Sequence, residues 1–335
     1  MALGKLDNQL NLKRAIIEVV AFFDLFDFPL TISELQHYLD KQVSLMALGE
    51  ALETIVEISN KNGFFFLLGR EDIITYRQKK YNYSLRKLKI AKKFSLLFSK
   101  LPFVQSIMLA NSIGAFNLRD NSDIDFFIIS CPRRIWLTRL YCAGLAALLN
   151  SRPSLKNKRD KICLSFYISS NALSLDSFKL KPFDPYFFYW LRSLFLLYNK
   201  NKTYEDFLTA NKLTSPESDL INNYLMVNSQ INTQPACLAK FKSSHQFEPQ
   251  LSYQVGSKPG CQIKLVFSKS LKVLINLFEG LAKKFQLLIM ATALKKAANN
   301  STGVIINDKV LKLYVHDKRQ EYLEKYGNKL EQILT

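Results

Sequence analysis

The stretch Ser122-Asp123-Ile124-Asp125-Phe126-Phe127-Ile128-Ile129 narrows the folds open to this chain more than any other. Two aspartates, one residue apart, run straight into four consecutive large apolar residues. Such a run reads as a fully apolar, buried strand. Residues i and i+2 of a strand point to the same side, so Asp123 and Asp125 project together from its start. Like charges that close are costly unless a cation neutralises them. Hard oxygen ligands on one face suit Mg²⁺, which commonly binds through one or two carboxylates plus substrate phosphates. The plain alternative is an exposed acidic turn before a strand, and the Asp-x-Asp spacing alone does not separate the two.

Upstream, Val104 to Ala110 is a second apolar strand, followed by Asn111-Ser112, with Asp123 eleven positions beyond Ser112. A hydrophobic strand, a Gly-Ser or close variant, a spacer of about a dozen residues and Asp-hydrophobic-Asp-hydrophobic is the signature of one superfamily. Leu109-Ala110-Asn111-Ser112 and Asp123-Ile124-Asp125-Phe126 resemble that signature, the one of the polymerase-β-like nucleotidyltransferases. The resemblance covers Val104 to Ile129 and the following helix, Ile135 to Leu149, and the Ser-Asp-Ile-Asp wording is typical of bacterial members. It implies a small mixed β-sheet core with helices. It also implies that Asn111 and Ser112 hold the β- and γ-phosphates through backbone N–H groups at a helix N-terminus. Asp123 and Asp125 become the catalytic, Mg²⁺-holding pair, and a nucleoside monophosphate passes from a nucleoside triphosphate to a hydroxyl acceptor. Arg133 and Arg134, with Arg139, follow the acidic strand and join the phosphate-binding candidates.

This chain departs from the family at two places. Asn111 stands where the family has glycine; asparagine is the next most tolerant residue of a positive φ. A third carboxylate is expected on a later strand, yet the matching run Lys161 to Ser169 contains no acid, Asp160 preceding it and Asp176 following it. A catalytically weakened nucleotide- or nucleic-acid-binding module is therefore an alternative.

Ahead of this core, residues 1–76 read as a winged-helix-like domain. Helices are expected over Lys13 to Phe26, from the capping box Thr31-Ile32-Ser33-Glu34 to Leu39, and over Ser44 to Ile58. A hairpin of Phe64 to Leu68 and Asp72 to Tyr76 follows. Ser44 to Asn60 holds Glu50, Glu53 and Glu57 and no Lys or Arg, which suits packing or a protein partner better than a DNA groove. Residues 77–180 are the core, opened by a helix over Arg77 to Lys100 with nine Lys or Arg and no acid. Its positive face either meets phosphates or is simply solvated, as is the basic loop Arg152 to Lys161.

Residues 181–335 read as a mainly helical C-terminal region. The helices expected are Phe183 to Tyr198, Lys264 to Ala298 and Asp308 to Leu334, with a loop near 229–260; His316-Asp317 is a surface pair. The fold class is thus α+β. A formal charge of +18 draws polyanions, such as an RNA end or another anionic acceptor. Five scattered cysteines without a Cys-x-x-Cys pair fit a reducing cytoplasm. No stretch reaches the roughly 20 apolar residues of a membrane span. Leu271 to Leu294 is instead amphipathic, which keeps open a peripheral membrane or scaffold protein.

Overall fold

In this computed structural model the described residues are 2–39, 43–110, 116–154, 156–213, 269–299 and 302–335, with backbone alone for 2–9, 269 and 270. The chain starts with α1 (Ala2–Asp24), β1 (Leu30–Thr31), α2 (Ile32–Tyr38), α3 (Leu45–Leu52), β2 (Ile58–Lys61) and β3 (Phe64–Leu67). The capping box forms: Glu34 N donates to Thr31 Oγ1 at 3.3 Å, and Thr31 N donates to Glu34 Oε2 at 2.8 Å. The third helix stops at Leu52, short of Ile58, because Ile58 to Lys61 is drawn into a hairpin with Phe64 to Leu67. That hairpin replaces the expected pairing of Phe64 to Leu68 with Asp72 to Tyr76. Asn62 and Gly63 both take positive φ, +54° and +76°, as a tight two-residue hairpin turn requires. Beyond Gly69 (φ +84°), Ile73 and Ile74 turn inward as the first residues of α4 (Ile73–Phe98). β1 pairs with β3, giving a three-stranded sheet ordered β1-β3-β2.

The remainder is built on a six-stranded mixed sheet. β4 (Val104–Leu109) pairs antiparallel with β5 (Ile124–Ser130), and β5 pairs parallel with β6 (Ile162–Ser169) across the helical connection α5 (Ile135–Leu148). Phe183 to Tyr198 is not one helix: α6 (Pro185–Arg192) ends at Ser193, and β7 (Phe195–Asn199) pairs with the open edge of β4. After α7 (Thr203–Ala210) come α8 (Lys269–Ile289) and α9 (Thr292–Ala297), separated where Ala291 becomes extended. The C-terminal region is less helical than expected. β8 (Val304–Ile306) and β9 (Val310–Leu313) cover the β6 edge, so the last helix, α10, runs only over Arg319–Leu334. An uncovered edge strand is a liability, and β7 and β9 remove two such edges with segments too short to announce themselves. The strand order is β7-β4-β5-β6-β9-β8. Residues 229–260 lie outside the described residues.

Alternation along β5 sorts the two covered faces. Ile124, Phe126 and Ile128 pack with Phe98 of α4, Trp136 of α5 and Ala282 of α8. Phe127 and Ile129 face the other way, onto Phe187 and Leu191 of α6 and Phe207 of α7. The N-terminal elements are stitched to α6 and to α10: Phe22 of α1 lies 4.5 Å from Tyr189 and 5.6 Å from Tyr326, centroid to centroid.

Candidate functional site

Asp123 and Asp125 share the parity of Phe127 and Ile129, so they belong to the face covered by α6 and α7. The loop that leads into them is fixed from behind. The fully buried Lys87 of α4 donates to Asp120 O at 3.0 Å, to Ser122 O at 2.7 Å and to Asp160 Oδ1 at 2.8 Å. Ile124 N donates to Lys161 O at 2.8 Å, which ties the start of β5 to the start of β6. Lys87 and Arg77, two members of the expected basic face of α4, thus meet the protein's own carboxylates; Lys79, Lys89, Lys92 and Lys93 remain exposed.

The register partner of Asp125 is Cys163. Asp125 pairs with Cys163 and Phe127 with Phe166, so β6 carries one extra residue between the two pairs. This bulge keeps both Cys163 and Phe166 on the acidic face. Ligand atoms of Asp123, Asp125 and Cys163 all lie within 4.8 Å of one another. The third ligand-type group that β6 brings to the aspartates is thus a thiol, which the composition of Lys161 to Ser169 did not reveal because its register could not be read. Asp160 is held by Lys87 and Arg86 (3.1 Å), and its carboxyl stays below the ordinary value because these cations outweigh its desolvation.

Asp125 also lines a cavity of about 270 Å³. Phe166, Trp190, Tyr186 and Tyr314 make much of its apolar wall, and Lys312 and Asp317 add polar groups. Trp190 is oriented by its indole N–H, which donates to Ala110 O at 3.3 Å, and stacks on Phe166 with centroids 5.8 Å apart. β9 delivers Lys312, the register partner of Phe166. Burial, followed by repulsion from Arg319, lowers the Lys312 ammonium to about 8. His316 is exposed, as expected of a surface residue. Asp317 instead forms a fork with Arg319, Oδ2 to Nη2 at 2.7 Å, and its carboxyl falls well below the usual range.

Burial, then the charge of Asp123, pushes the Asp125 carboxyl up to about 7, against a lowering hydrogen bond with Cys163. Between the ordinary carboxylate value and about 7, the folded protein holds a proton that the unfolded chain has lost. Stability of the metal-stripped protein is therefore expected to fall as pH rises through that window, and Asp125→Asn to flatten the fall. Thermal melts in chelator across the window test this; an unchanged slope in the variant would refute it.

The other residues expected at the site divide. Asn111 and Ser112 lie outside the described residues. Arg133 and Arg134 follow the far end of β5; seven strand residues at about 3.3 Å each put them roughly 20 Å from the aspartates. There Arg134 donates to Asn276 at 2.7 Å, so the two arginines are not brought to Asp123 and Asp125. Comparison with family models, with curated proteins and with solved structures finds no match to the chain. Among the described residues no helix is long and apolar enough to cross a membrane.

Proposed function

We propose that this chain is a Mg²⁺-dependent nucleotidyltransferase, moving a nucleoside monophosphate from a triphosphate to a hydroxyl acceptor. The observation that carries the reading is the convergence of Asp123 with Asp125, the latter lining an aromatic-walled cavity. Two carboxylate oxygens on one face fit a hard divalent ion, whereas a thiol is a poor partner for Mg²⁺. When bound, such an ion neutralises phosphate charge and stabilises the leaving pyrophosphate. Asp123 and Asp125 hold it; Lys87 keeps their loop in place; the cavity walls take the organic part of a substrate. The exposed lysines of α4 suit an anionic acceptor such as an RNA end.

The order α1-β1-α2-α3-β2-β3, with a β1-β3-β2 sheet, supports a winged-helix reading of the N-terminal elements. Leu45–Leu52 has no Lys or Arg and exposes Leu45 and Met46, which favours a protein partner over a DNA groove.

The test is incubation with each triphosphate labelled at the α-phosphate, with and without Mg²⁺. Metal-dependent label transfer supports the enzyme. Metal-dependent binding without turnover supports the second reading, a weakened nucleotide-binding module, which the thiol at position 163 favours. Absence of both sinks both. Cys163→Asp is expected to tighten Mg²⁺ binding on the order of tenfold, since added ligand charge raises affinity for hard cations. Calorimetric titration reads this directly; unchanged affinity would mean that position 163 does not face the ion.

A further inference from the structure

Helix α8 is mounted the wrong way round for a soluble surface. Beside Ile275, Ala282 and Leu287, three of its polar side chains, Glu279, Lys283 and Gln286, face the protein. Glu279 accepts from the backbone N–H groups of Trp136 at 2.9 Å and Leu137 at 3.1 Å. Gln286 donates to Trp136 O at 2.8 Å and accepts from Arg139 at 2.6 Å, and Lys283 pairs with Asp308 at 2.7 Å. The outward face carries Leu274, Leu277, Phe278, Leu281, Phe285 and Leu288, each between 48 and 75 % exposed. Amphipathic surface helices ordinarily bury such a stripe against the core. A continuous apolar stripe spanning positions 274 to 288 is about 21 Å long at 1.5 Å per residue, and patches of this kind mark interaction sites.

Charge selects the occupant. The exposed cations beside the stripe and just beyond it are Lys284, Lys295 and Lys296. From Lys269 to Ala297 the one acid is Glu279, and it is turned inward onto α5. A second copy across a two-fold axis would set lysine against lysine with no carboxylate to pair. An anionic lipid surface meets both halves of the pattern, apolar side chains entering the acyl boundary and lysines reaching the headgroups.

We propose that α8 docks this protein flat on an anionic lipid bilayer. The full-length chain is tested by co-sedimentation with phosphatidylcholine vesicles, with and without phosphatidylglycerol. Binding is expected with the anionic vesicles and is expected to weaken in high salt. Leu281→Glu with Phe285→Glu should lower it at least about tenfold, two large apolar side chains no longer entering the bilayer. Lys284→Glu with Lys296→Glu should lower it about fivefold or more per lysine. Failure to pellet, or equal binding to neutral vesicles, overturns the proposal. So does a dimer that the apolar double variant disperses, which would make a second copy the occupant. A melting temperature lowered by that variant in vesicle-free buffer also overturns it, since the stripe would then be covered by the chain itself.

Discussion

Asp125→Ala and Asp123→Ala are each expected to lower nucleotidyl transfer on the order of a thousandfold, while the metal-stripped protein keeps or gains thermal stability. The kinetic loss follows from the several kcal/mol that a bound cation contributes to stabilising transferring phosphoryl charge. At about 1.4 kcal/mol per decade, that is roughly three orders of magnitude. The opposite sign for stability follows from the geometry: the two carboxylates lie within 4.8 Å of each other and of Cys163, and desolvation already disfavours the charged form of Asp125. Removing either acid relieves that repulsion. The double variant should be no slower than the worse single one, because both losses act through the same bound ion. Rates from single-turnover label transfer and melts in chelator check the two halves separately. Retained activity in either single variant would remove the metal pair from the reaction.

Arg77→Met is expected to destabilise the folded chain by about 3–5 kcal/mol, the usual result of stripping one partner from a buried ion pair. Arg77 and Glu34 meet at 2.6 Å with side chains 2 % and 9 % exposed. The same guanidinium donates to Pro29 O and lies 3.9 Å from the centre of the Phe28 ring. It therefore couples α4 to the segment that enters α2. Without it, Glu34 keeps a buried charge whose remaining donors are those of Thr31. Adding Glu34→Gln should recover much of the loss, since glutamine serves the capping box as well as glutamate does and carries no charge. Urea unfolding of the single and double variants measures both effects. A single variant within about 1 kcal/mol of the parent would show that solvent reaches the pair, as it does in surface salt bridges.

Elements whose burial is written into their own periodicity were legible in the sequence. The apolar runs at 104–110 and 123–129, the helix after them, and the Thr31–Glu34 cap are local patterns with local causes. The edge strands were not. Phe195–Asn199 and Val310–Leu313 become strands because β4 and β6 present unpaired backbone groups to them, and nothing inside either segment states that. The same limit applied at the site. The convergence of Asp123 with Asp125 follows from strand alternation, but Cys163 reaches the aspartates, and Tyr314 and Lys312 reach the cavity, through pairings between distant strands. Arg133 and Arg134 erred in the opposite sense, being near in sequence and a whole strand away in space.

Phe166 lies three positions beyond Cys163, an odd interval that an unbroken ladder would spend on opposite sides of the sheet. The additional residue in β6 is what lets one strand set its sulfur beside the acids and its phenyl ring in the cavity wall. Length here therefore matters as much as chemistry. Were β6 to run from Cys163 as an unbroken ladder at this length, every named side chain would be present yet the ring would turn to the face opposite the thiol, whereas deleting one of residues 164–165 would restore an even interval that needs no bulge.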